Sequence, residues 1–453
     1  MDPCQKILTF TKMDVDEPQS MQFQNIPADF YKGKPEKKNV QIVQSPQKIY
    51  PEIYIKKTKN IKKFGTSHKF RIMLFEALEA ADKKYGLLKL LDACDLRTIF
   101  DVSSIKILSS DEKSSVSETV ILLGKFKIPI VFATFQGNTK IAIKMSFKPL
   151  TSDNSLEIER RAYKEVTNPL LLNGNTPHVM LYVGTLHCSN FSSIDIGEMN
   201  NKKFMKEIQK IQASQRYDTS DMWMLILEQG KGKPLRNFIN ETHTLKKFWY
   251  PVLFQIIYTL SCFQLVGFAQ NDLHSGNLWI DELPEPQEFI YQGNKKYAWR
   301  IETKYIVKFF DFDRAAKSAT KYNAAWWTNK KLDDEGHCIS GGQCNGYQPF
   351  FDAFNILYNI YHYHKNINRD AYVFLKKWIE NYIEYEYLNK KYAWHGQLCE
   401  CVIGEPLMCK KCNLITPTNP VLETMLQTGF ESYRIDPKDI ENEQYVWKLP
   451  SFK

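Results

Sequence analysis

Long hydrophobic runs and a secretory leader are both missing from this sequence. The most apolar stretch, Phe248–Gly267, is interrupted by Gln255 and Gln264 and falls short of the roughly 18 uninterrupted apolar residues that span a bilayer. It is therefore predicted to be a buried helix and not a membrane span. The N-terminus has no basic start followed by an apolar core, so no signal peptide is expected. The chain is predicted to stay in a reducing, cytosol-like compartment.

Cysteine is also scarce, since ten cysteines in 453 residues are too few for a disulfide scaffold. In a reducing compartment they are expected to be thiols or metal ligands. A C-x-C pair followed by a C-x2-C pair near the C-terminus predicts a structural zinc site, with free thiols in a loop as the alternative. The candidate ligands are Cys399, Cys401, Cys409 and Cys412. A second, weaker group consists of His337, Cys338 and Cys344.

The formal net charge is a modest +9, but two basic runs, Lys32–Lys38 and Lys56–Lys63, concentrate positive charge near the N-terminus. A solvated arm or a contact with acidic partners accounts for such runs, and nucleic acid binding is not indicated. Residues 1–66 lack a periodic apolar pattern and are predicted to be an extended or partly disordered arm.

In the rest of the chain, the spacing of apolar residues changes from one segment to the next. Apolar residues recur every three or four positions from 67 to about 98, which predicts a helical extension over 67–102. Alternating β-branched and aromatic runs then predict a small antiparallel sheet within 103–228, and helical spacing predominates in 229–390. The predicted strands are 103–108, 118–126, 128–135, 140–147 and 222–228, and the main predicted helices are 156–172, 234–242, 248–267, 347–364 and 369–388.

This order predicts an α+β, two-lobed molecule with a cleft between a β-rich first lobe and a larger helical second lobe. The short connector between the lobes is QGKGKP at 229–234, and residues 391–453 form a cysteine-containing extension.

The most specific string runs from Gln270 to Asn277 and reads QNDLHSGN. Phosphoryl transfer needs a carboxylate to orient the acceptor hydroxyl and oxygen ligands to hold magnesium. A D-x4-N spacing on a tight loop supplies both, with Asp272 beside the acceptor and Asn277 on the metal.

A second carboxylate follows in the strand-like segment VKFFDFD. Asp311 is the preferred magnesium ligand, and Asp313 is the alternative. The chain between Asp272 and Asp311 holds a predicted hairpin that turns at Gly293-Asn294.

The string IAIK places Lys144 on a predicted strand of the first lobe, where a phosphate-pairing lysine is needed. The following helix offers Glu157, Glu159 and Glu165 as ion-pair partners, and Glu159 is preferred because its helical neighbours form an apolar face. Glu228, which ends the strand before the connector, is included among the nucleotide-binding residues.

These strings resemble the protein kinase superfamily in their order along the chain, from about 103 to 388. QNDLHSGN is similar to the catalytic loop H-R-D-L-x-x-x-N, with Gln270 and Asn271 in place of His and Arg; DFD is similar to D-F-G, and AIK to V-A-I-K. The missing Arg implies that coupling to a phosphorylated activation segment is absent. By the same resemblance, Asp352 anchors the catalytic loop from a central helix; an ordinary helix-start carboxylate is the alternative.

The likeness is strongest to the serine/threonine kinases of large cytoplasmic DNA viruses, such as iridoviruses and ascoviruses. It implies ATP, Mg²⁺ and hydroxyl-bearing protein substrates, with virion proteins among them, and a location in the host cytoplasm and the virion. The glycine-rich phosphate loop is absent, because SSDEKSSVS at 109–117 contains no glycine. This absence keeps a catalytically silent scaffold open as an alternative. The D-L-H-x-G-N string also resembles aminoglycoside and choline phosphotransferases, which keeps a small-molecule acceptor open.

Overall fold

The period-two runs of the first lobe form the antiparallel sheet that their pattern predicts. In the computed structural model this sheet has five strands in the order β2-β3-β6-β8-β7, and every neighbouring pair is antiparallel. Side chains alternate between buried and more exposed along β6, so one face of the sheet lies on the core. The strands are β2 (Lys106–Ile107), β3 (Val120–Lys125), β6 (Lys140–Pro149), β7 (Tyr182–Cys188) and β8 (Tyr217–Glu228).

The structure describes the following residues: 53–55, 68–86, 88, 91–108, 119–127, 130–132, 135–137, 140–150, 155–191, 198–242, 246–293, 297–318, 325–327, 351–363, 369–382, 421–441, 443 and 446–450.

A second sheet of three strands departs from the prediction of one strand over 128–135. That segment instead contains β4 (Ile130–Phe132), and an antiparallel partner, β5 (Phe135–Gly137), begins at its last residue. The outer strand, β1 (Ile53–Ile55), comes from the predicted N-terminal arm and pairs with β4 in parallel.

Helices flank the five-stranded sheet. The predicted helix 156–172 runs through α2 (Ser155–Arg161), a π-helical turn (Ala162–Thr167) and α3 (Asn168–Leu172). The polar stretch before β8 contains α4 (Glu198–Ala213). The predicted N-terminal extension begins with α1 (His68–Tyr85).

Two contacts hold this extension against β7. Leu88 lies so close to Gly184 that a Cβ at that glycine would be 3.0 Å from the leucine side chain. A disulfide joins Cys94 to Cys188 across 94 positions of sequence. The expectation that the cysteines are thiols or metal ligands is therefore wrong for this pair, because the fold brings the extension loop to the end of β7.

The second lobe is built around one buried helix and one long hairpin. The helix α6 is apolar on nearly all sides, so the fold surrounds it, as predicted. By length and composition it could cross a membrane, yet 83% of its apolar window is buried inside the protein. Its lobe contains β9 (Lys233–Pro234), α5 (Leu235–Thr242), α6 (Lys246–Leu265), β10 (Phe268–Ala269), β11 (Leu278–Gln292), β12 (Ala298–Phe309), β13 (Ala316–Ser318) and β14 (Ala325–Trp327).

The C-terminal part of the chain packs onto this hairpin. β15 pairs with β12, and β16 pairs with β11 in parallel. The remaining elements are α7 (Phe351–Tyr363), α8 (Arg369–Tyr382), α9 (Val421–Gly429), β15 (Arg434–Ile435) and β16 (Trp447–Lys448). The fold is thus the α+β, two-lobed arrangement that the sequence predicts, although its second lobe carries more strand than expected.

Candidate active site

Lys144 lies at the centre of the site, on β6 of the first sheet. Its Nζ is 2.7 Å from Oε2 of Glu159 and 2.6 Å from Oδ1 of Asp311. The three side chains are 14%, 2% and 14% exposed, so water screens these contacts weakly. The lysine therefore joins a strand of the first lobe to the segment after β12 of the second.

Glu159 is the helix glutamate that the structure brings to the lysine. The two alternatives pair with arginines of their own helix instead: Glu157 lies 2.6 Å from Arg160 and Glu165 lies 2.9 Å from Arg161. Glu159 differs because it lies on the buried face of α2, beside the buried side chains that its sequence neighbours supply.

Three carboxylates surround this single ammonium. Burial opposes the charge of Lys144, but Asp311 and Glu159 outweigh it and hold the pKa of Lys144 well above its usual value. Burial raises the pKa of Glu159 to about 7, and burial together with the Asp311 carboxylate raises that of Asp313 to about 7. The pKa of Asp311 is lowered, because its contact with Lys144 outweighs its burial. At pH 7 Glu159 and Asp313 therefore carry only part of their charge, and a cation bound beside them would favour their ionised forms.

Asp311 adopts a left-handed backbone conformation, with φ of 64°. For a residue other than glycine this costs about 1 kcal/mol and needs support from its surroundings. The contact with Lys144 supplies part of that support, and the backbone N–H of Asp311 donates to the Tyr163 hydroxyl at 3.4 Å. The next side chain, Phe312, is fully buried and packs edge-on against the Tyr163 ring. The side chain of Asp311 is thus held by Lys144, and its backbone is held by Tyr163.

Asp352, at the start of α7, anchors the catalytic loop as the kinase resemblance implies. Its two carboxylate oxygens accept the backbone N–H groups of Gln270 (2.6 Å) and Asn271 (2.8 Å). Asn271 is another left-handed residue, with φ of 63°, and its side-chain amide donates to the carbonyl of Arg314 at 3.1 Å. The side-chain amide of Gln270 donates to the carbonyls of Phe310 and Asp311. The loop and the DFD segment are therefore fixed to each other.

Asp272 projects from this loop with its side chain 21% exposed, which leaves it accessible to an acceptor. Nη1 of Arg314 lies 3.5 Å from its Oδ2. Nε2 of His274 lies 4.0 Å from the carboxylate, and Nδ1 of the same ring accepts the backbone N–H of Gly276. Burial lowers the pKa of His274 to about 4, so the ring is neutral at pH 7 and its proton is on Nε2, toward Asp272.

Asn277 supplies an oxygen with no partner of its own. Its Nδ2 donates to the carbonyl of Asp272 at 2.9 Å, whereas its Oδ1 is buried and unpaired. The backbone carbonyl of the same residue accepts the N–H of Phe310, which precedes Asp311, at 3.3 Å. An orphaned buried oxygen on a residue bonded to the segment of an ionised aspartate fits a magnesium ion held by Asp311 and Asn277. Magnesium takes few protein ligands and keeps waters or substrate phosphates for the rest. The described ranges contain no cluster of three or more His, Cys, Asp and Glu side chains that could hold a metal ion.

Glu228 ends β8, as predicted, and its carboxylate is engaged by partners other than Lys144. It accepts from Arg71 and from the backbone N–H of Leu181. Lys308 is also 3.4 Å away and lies 2.8 Å from Asp281. Its backbone N–H donates to the carbonyl of Leu181 at 2.9 Å, so the carboxylate and the N–H of Glu228 are both engaged within the protein. Sequence reasoning missed these partners, although a lysine within YIVKFF and an aspartate within LWIDEL are charges inside apolar strands, which usually signals pairing.

Three predicted features lie outside the described residues. These are the glycine-free segment 109–117, the four candidate zinc cysteines, and the group of His337, Cys338 and Cys344.

The site and its lobes define a protein-kinase-like fold, in which a strand lysine, a helix glutamate, a D-x4-N loop and the first aspartate of the DFD segment meet. No family model matches the sequence. The chain is 24% identical over 266 residues to "Putative serine/threonine-protein kinase R400" of Acanthamoeba polyphaga mimivirus, an alignment that covers 53% of this chain and 54% of that protein. The chain thus matches about half the length of this curated relative.

Among solved structures, the chain aligns with "Crystal structure of Rad53 kinase domain and SCD2" at 12% identity, covering 76% of this chain and 88% of that one. The TM-score is 0.30, and a superposition at this level is no evidence of a shared fold. The sequence comparison thus finds a similarity to a viral protein named as a kinase, in agreement with the resemblance carried by QNDLHSGN, DFD and AIK.

Proposed function

We propose that this chain is an ATP-dependent kinase that transfers the γ-phosphate to serine or threonine residues of protein substrates. The observation that carries the proposal is Lys144, held between Glu159 and Asp311, whose segment is hydrogen-bonded to the loop that carries Asp272 and Asn277. Each of these side chains has a place in phosphoryl transfer, and few other reactions need this set. The similarity to a viral protein named as a serine/threonine kinase supports the same reading.

The proposed roles follow from the geometry. Lys144 presents a fixed positive charge to the phosphates, and Glu159 keeps it in place. Asp272 orients the acceptor hydroxyl and takes up its proton. Asp311 and the free oxygen of Asn277 would hold magnesium, which offsets the charge of the phosphates when bound.

A protein substrate is proposed ahead of a cationic small molecule on the strength of the similarity to a viral protein named as a serine/threonine-protein kinase. Around Asp272 the structure places charges of both signs. Arg314 lies 3.5 Å from its carboxylate, and the Asp272 charge acts on the carboxyls of Asp313 and Asp352. The acceptor is therefore decided by the transfer assay below, which includes both kinds of substrate.

The test is incubation of the purified chain with labelled ATP, Mg²⁺ and a panel of acidic and basic proteins, followed by phosphoamino acid analysis. Phosphoserine or phosphothreonine in the parent, absent from an Asp272→Asn control, is the expected result. A parent that binds Mg²⁺-ATP but transfers no phosphate would favour a scaffold. Transfer to aminoglycosides or choline alone would replace the protein substrate.

The remaining expectations stay proposals. A viral origin, virion proteins among the substrates and a location in the host cytoplasm and virion are proposed from the resemblance.

A structural zinc on Cys399, Cys401, Cys409 and Cys412 is proposed from their spacing. Elemental analysis of protein purified without chelator would remove the zinc if it returned well under one atom per chain.

A further inference from the structure

Arg71 of α1 is a buried arginine outside both predicted lobes. Its side chain is 5% exposed. Nε donates to Oε2 of Glu228 at 2.9 Å, Nη2 donates to the other carboxylate oxygen, and the remaining donors reach the carbonyls of Pro177 and Val179. This two-pronged contact with a carboxylate plus two carbonyls uses the planar geometry that guanidinium has and ammonium lacks.

The partner of Arg71 marks the end of the first lobe. Glu228 is the last residue of β8, and the connector to β9 begins directly after it. Burial would raise the pKa of this carboxyl, but Arg71 and Lys308 hold it below its usual value, so the charge is retained. Arg71 thus fixes the strand at the point where the chain leaves the sheet.

The contacts continue from Glu228 into the strands of the active site. Lys308 lies 3.4 Å from Glu228 and 2.8 Å from Asp281. Asp281 in turn accepts the backbone N–H groups of Lys231 (2.6 Å) and Gly232 (3.1 Å) in the connector. A Cβ at Gly232 would be 1.6 Å from the carbonyl oxygen of Ile280, so the connector lies directly against β11.

The two strands held in this way carry the candidate magnesium ligands. Lys308 is on β12, three positions before Asp311, and Asp281 is on β11, four positions after Asn277. One continuous set of buried charges, Arg71, Glu228, Lys308 and Asp281, therefore runs from the N-terminal extension through the connector to the strands of the site.

We propose that Arg71 is a positioning residue for nucleotide binding, through which the N-terminal extension sets the connector between the lobes. The inference rests on the proposed function, because the nucleotide is taken to bind between the lobes. If the connector is loosened, only a fraction of molecules has the arrangement that binds nucleotide. The apparent dissociation constant then rises by the inverse of that fraction, whereas turnover of molecules that have bound is preserved.

The test compares Arg71→Met with the parent, with Arg71→Lys and with Arg97→Met. Arg97 is the matched control, since it lies in the same extension and pairs with Asp95 on the surface, with its side chain 62% exposed. All four proteins are compared at a temperature where circular dichroism shows them folded.

In Arg71→Met we expect the KM and Kd for Mg²⁺-ATP to rise about tenfold while kcat at saturating ATP stays within about threefold of the parent. The KM and Kd of Arg71→Lys should lie between those of the parent and Arg71→Met, because an ammonium keeps the charge but not the paired geometry. Arg97→Met should match the parent. A buried ion pair with a purely structural role would lower the melting temperature of Arg71→Met and leave the Kd below that temperature unchanged, and this result would overturn the proposal.

Hydrogen exchange supplies a readout that needs no nucleotide. The amides of Lys231 and Gly232 should exchange faster in Arg71→Met than in the parent or Arg97→Met, since their acceptor Asp281 loses its fixed partner network. Equal exchange in all three overturns the coupling to the connector. If the parent itself binds no Mg²⁺-ATP, the proposed function fails, and the role in nucleotide positioning fails with it. If the parent binds and Arg71→Met binds equally well, only this inference fails.

Discussion

Lys144 has two carboxylate partners within 2.7 Å and is therefore fixed before any phosphate arrives. The side-chain entropy of Lys144 is lost during folding, so it is not lost again when a phosphate binds. The arrangement also explains why Glu159 and not Asp311 has the raised pKa, since Asp311 gains more from the shared ammonium than its burial costs.

Replacement of Lys144 by Met should remove the phosphate contact. A hydrogen bond to a charged group is worth about 1.5–3 kcal/mol, so we expect the KM for ATP to rise about 10- to 100-fold, with a fall in turnover. Lys144→Arg keeps the charge and serves as the control. Steady-state kinetics with varied ATP checks the prediction, and parental KM and turnover in Lys144→Met would show that this lysine is not at the phosphates.

Asp352 offers a prediction about pH. Burial raises the pKa of this carboxyl to about 7, against the two backbone donors that lower it. The native state therefore keeps a proton between about pH 4 and 7 that the unfolded chain has released, so this group's contribution to stability is lost as the pH rises through that range. Asp352→Asn cannot titrate and should lack this component.

The measurement is urea unfolding of the parent and Asp352→Asn from pH 4 to 8. The stability of the parent relative to the variant should fall with rising pH, by up to about 1.4 kcal/mol per pH unit. A difference that stays constant over the range would contradict the raised pKa.

Residues with a local pattern could be predicted, and residues with distant partners could not. Lys144, Glu159, Asp272, Asn277 and Asp311 all occur in short strings whose spacing points to one chemistry. The pairing of Arg71 with Glu228 spans 157 positions, and no local pattern in the sequence contains that distance. The strand position of Glu228 is visible in the sequence, whereas its buried partner Arg71 is not.

Among the elements, the N-terminal extension is fastened to the first sheet at separate points. Arg71 reaches the end of β8, Leu88 lies over Gly184 of β7, and the disulfide Cys94–Cys188 closes the far end. Cys94 is exposed whereas Cys188 is buried, so a reductant can approach the bond from the side of the extension.

The disulfide should stabilise the fold mainly by restricting the unfolded chain, since it closes a loop of 94 positions. For a loop of this length the expected effect on the free energy of unfolding is about 2–5 kcal/mol. Cys94→Ser should lower the stability by this amount in a non-reducing buffer, as measured by urea unfolding. Dithiothreitol should lower the parent to the level of the variant and leave the variant unchanged. A parent indifferent to dithiothreitol would show that the bond does not form.

Elements with strong periodicity were predicted within a few residues, as the buried helix α6 shows. The reversal of the chain between β4 and β5 is not predicted. A run of β-branched and aromatic residues shows strand propensity but does not show where the chain reverses. The β11–β12 hairpin was predicted but is longer than its pattern suggested, since β11 continues through a register shift between Glu282 and Gln287. Irregular pairing of this kind leaves no simple period in the sequence.

At the scale of the whole molecule, each lobe supplies part of the site. Lys144 and Glu159 come from the first lobe, and Asp272, Asn277 and Asp311 come from the second. Neither part can hold a phosphate and an acceptor alone. The proposed nucleotide binding and phosphate transfer therefore require both lobes, and changing one carboxylate at a time separates the two.

Comparison of Asp272→Asn with Asp311→Asn tests the central claim most directly, with Mg²⁺-ATP affinity and phosphate incorporation measured on the same samples. Asp272→Asn keeps the shape but removes the proton acceptor, so turnover should fall by about 10²–10⁴-fold while the affinity for Mg²⁺-ATP barely changes. Asp311→Asn should impair both magnesium-dependent affinity and turnover. Near-parental phosphorylation of a protein substrate by Asp272→Asn would contradict the catalytic assignment and with it the account of this site as a kinase centre.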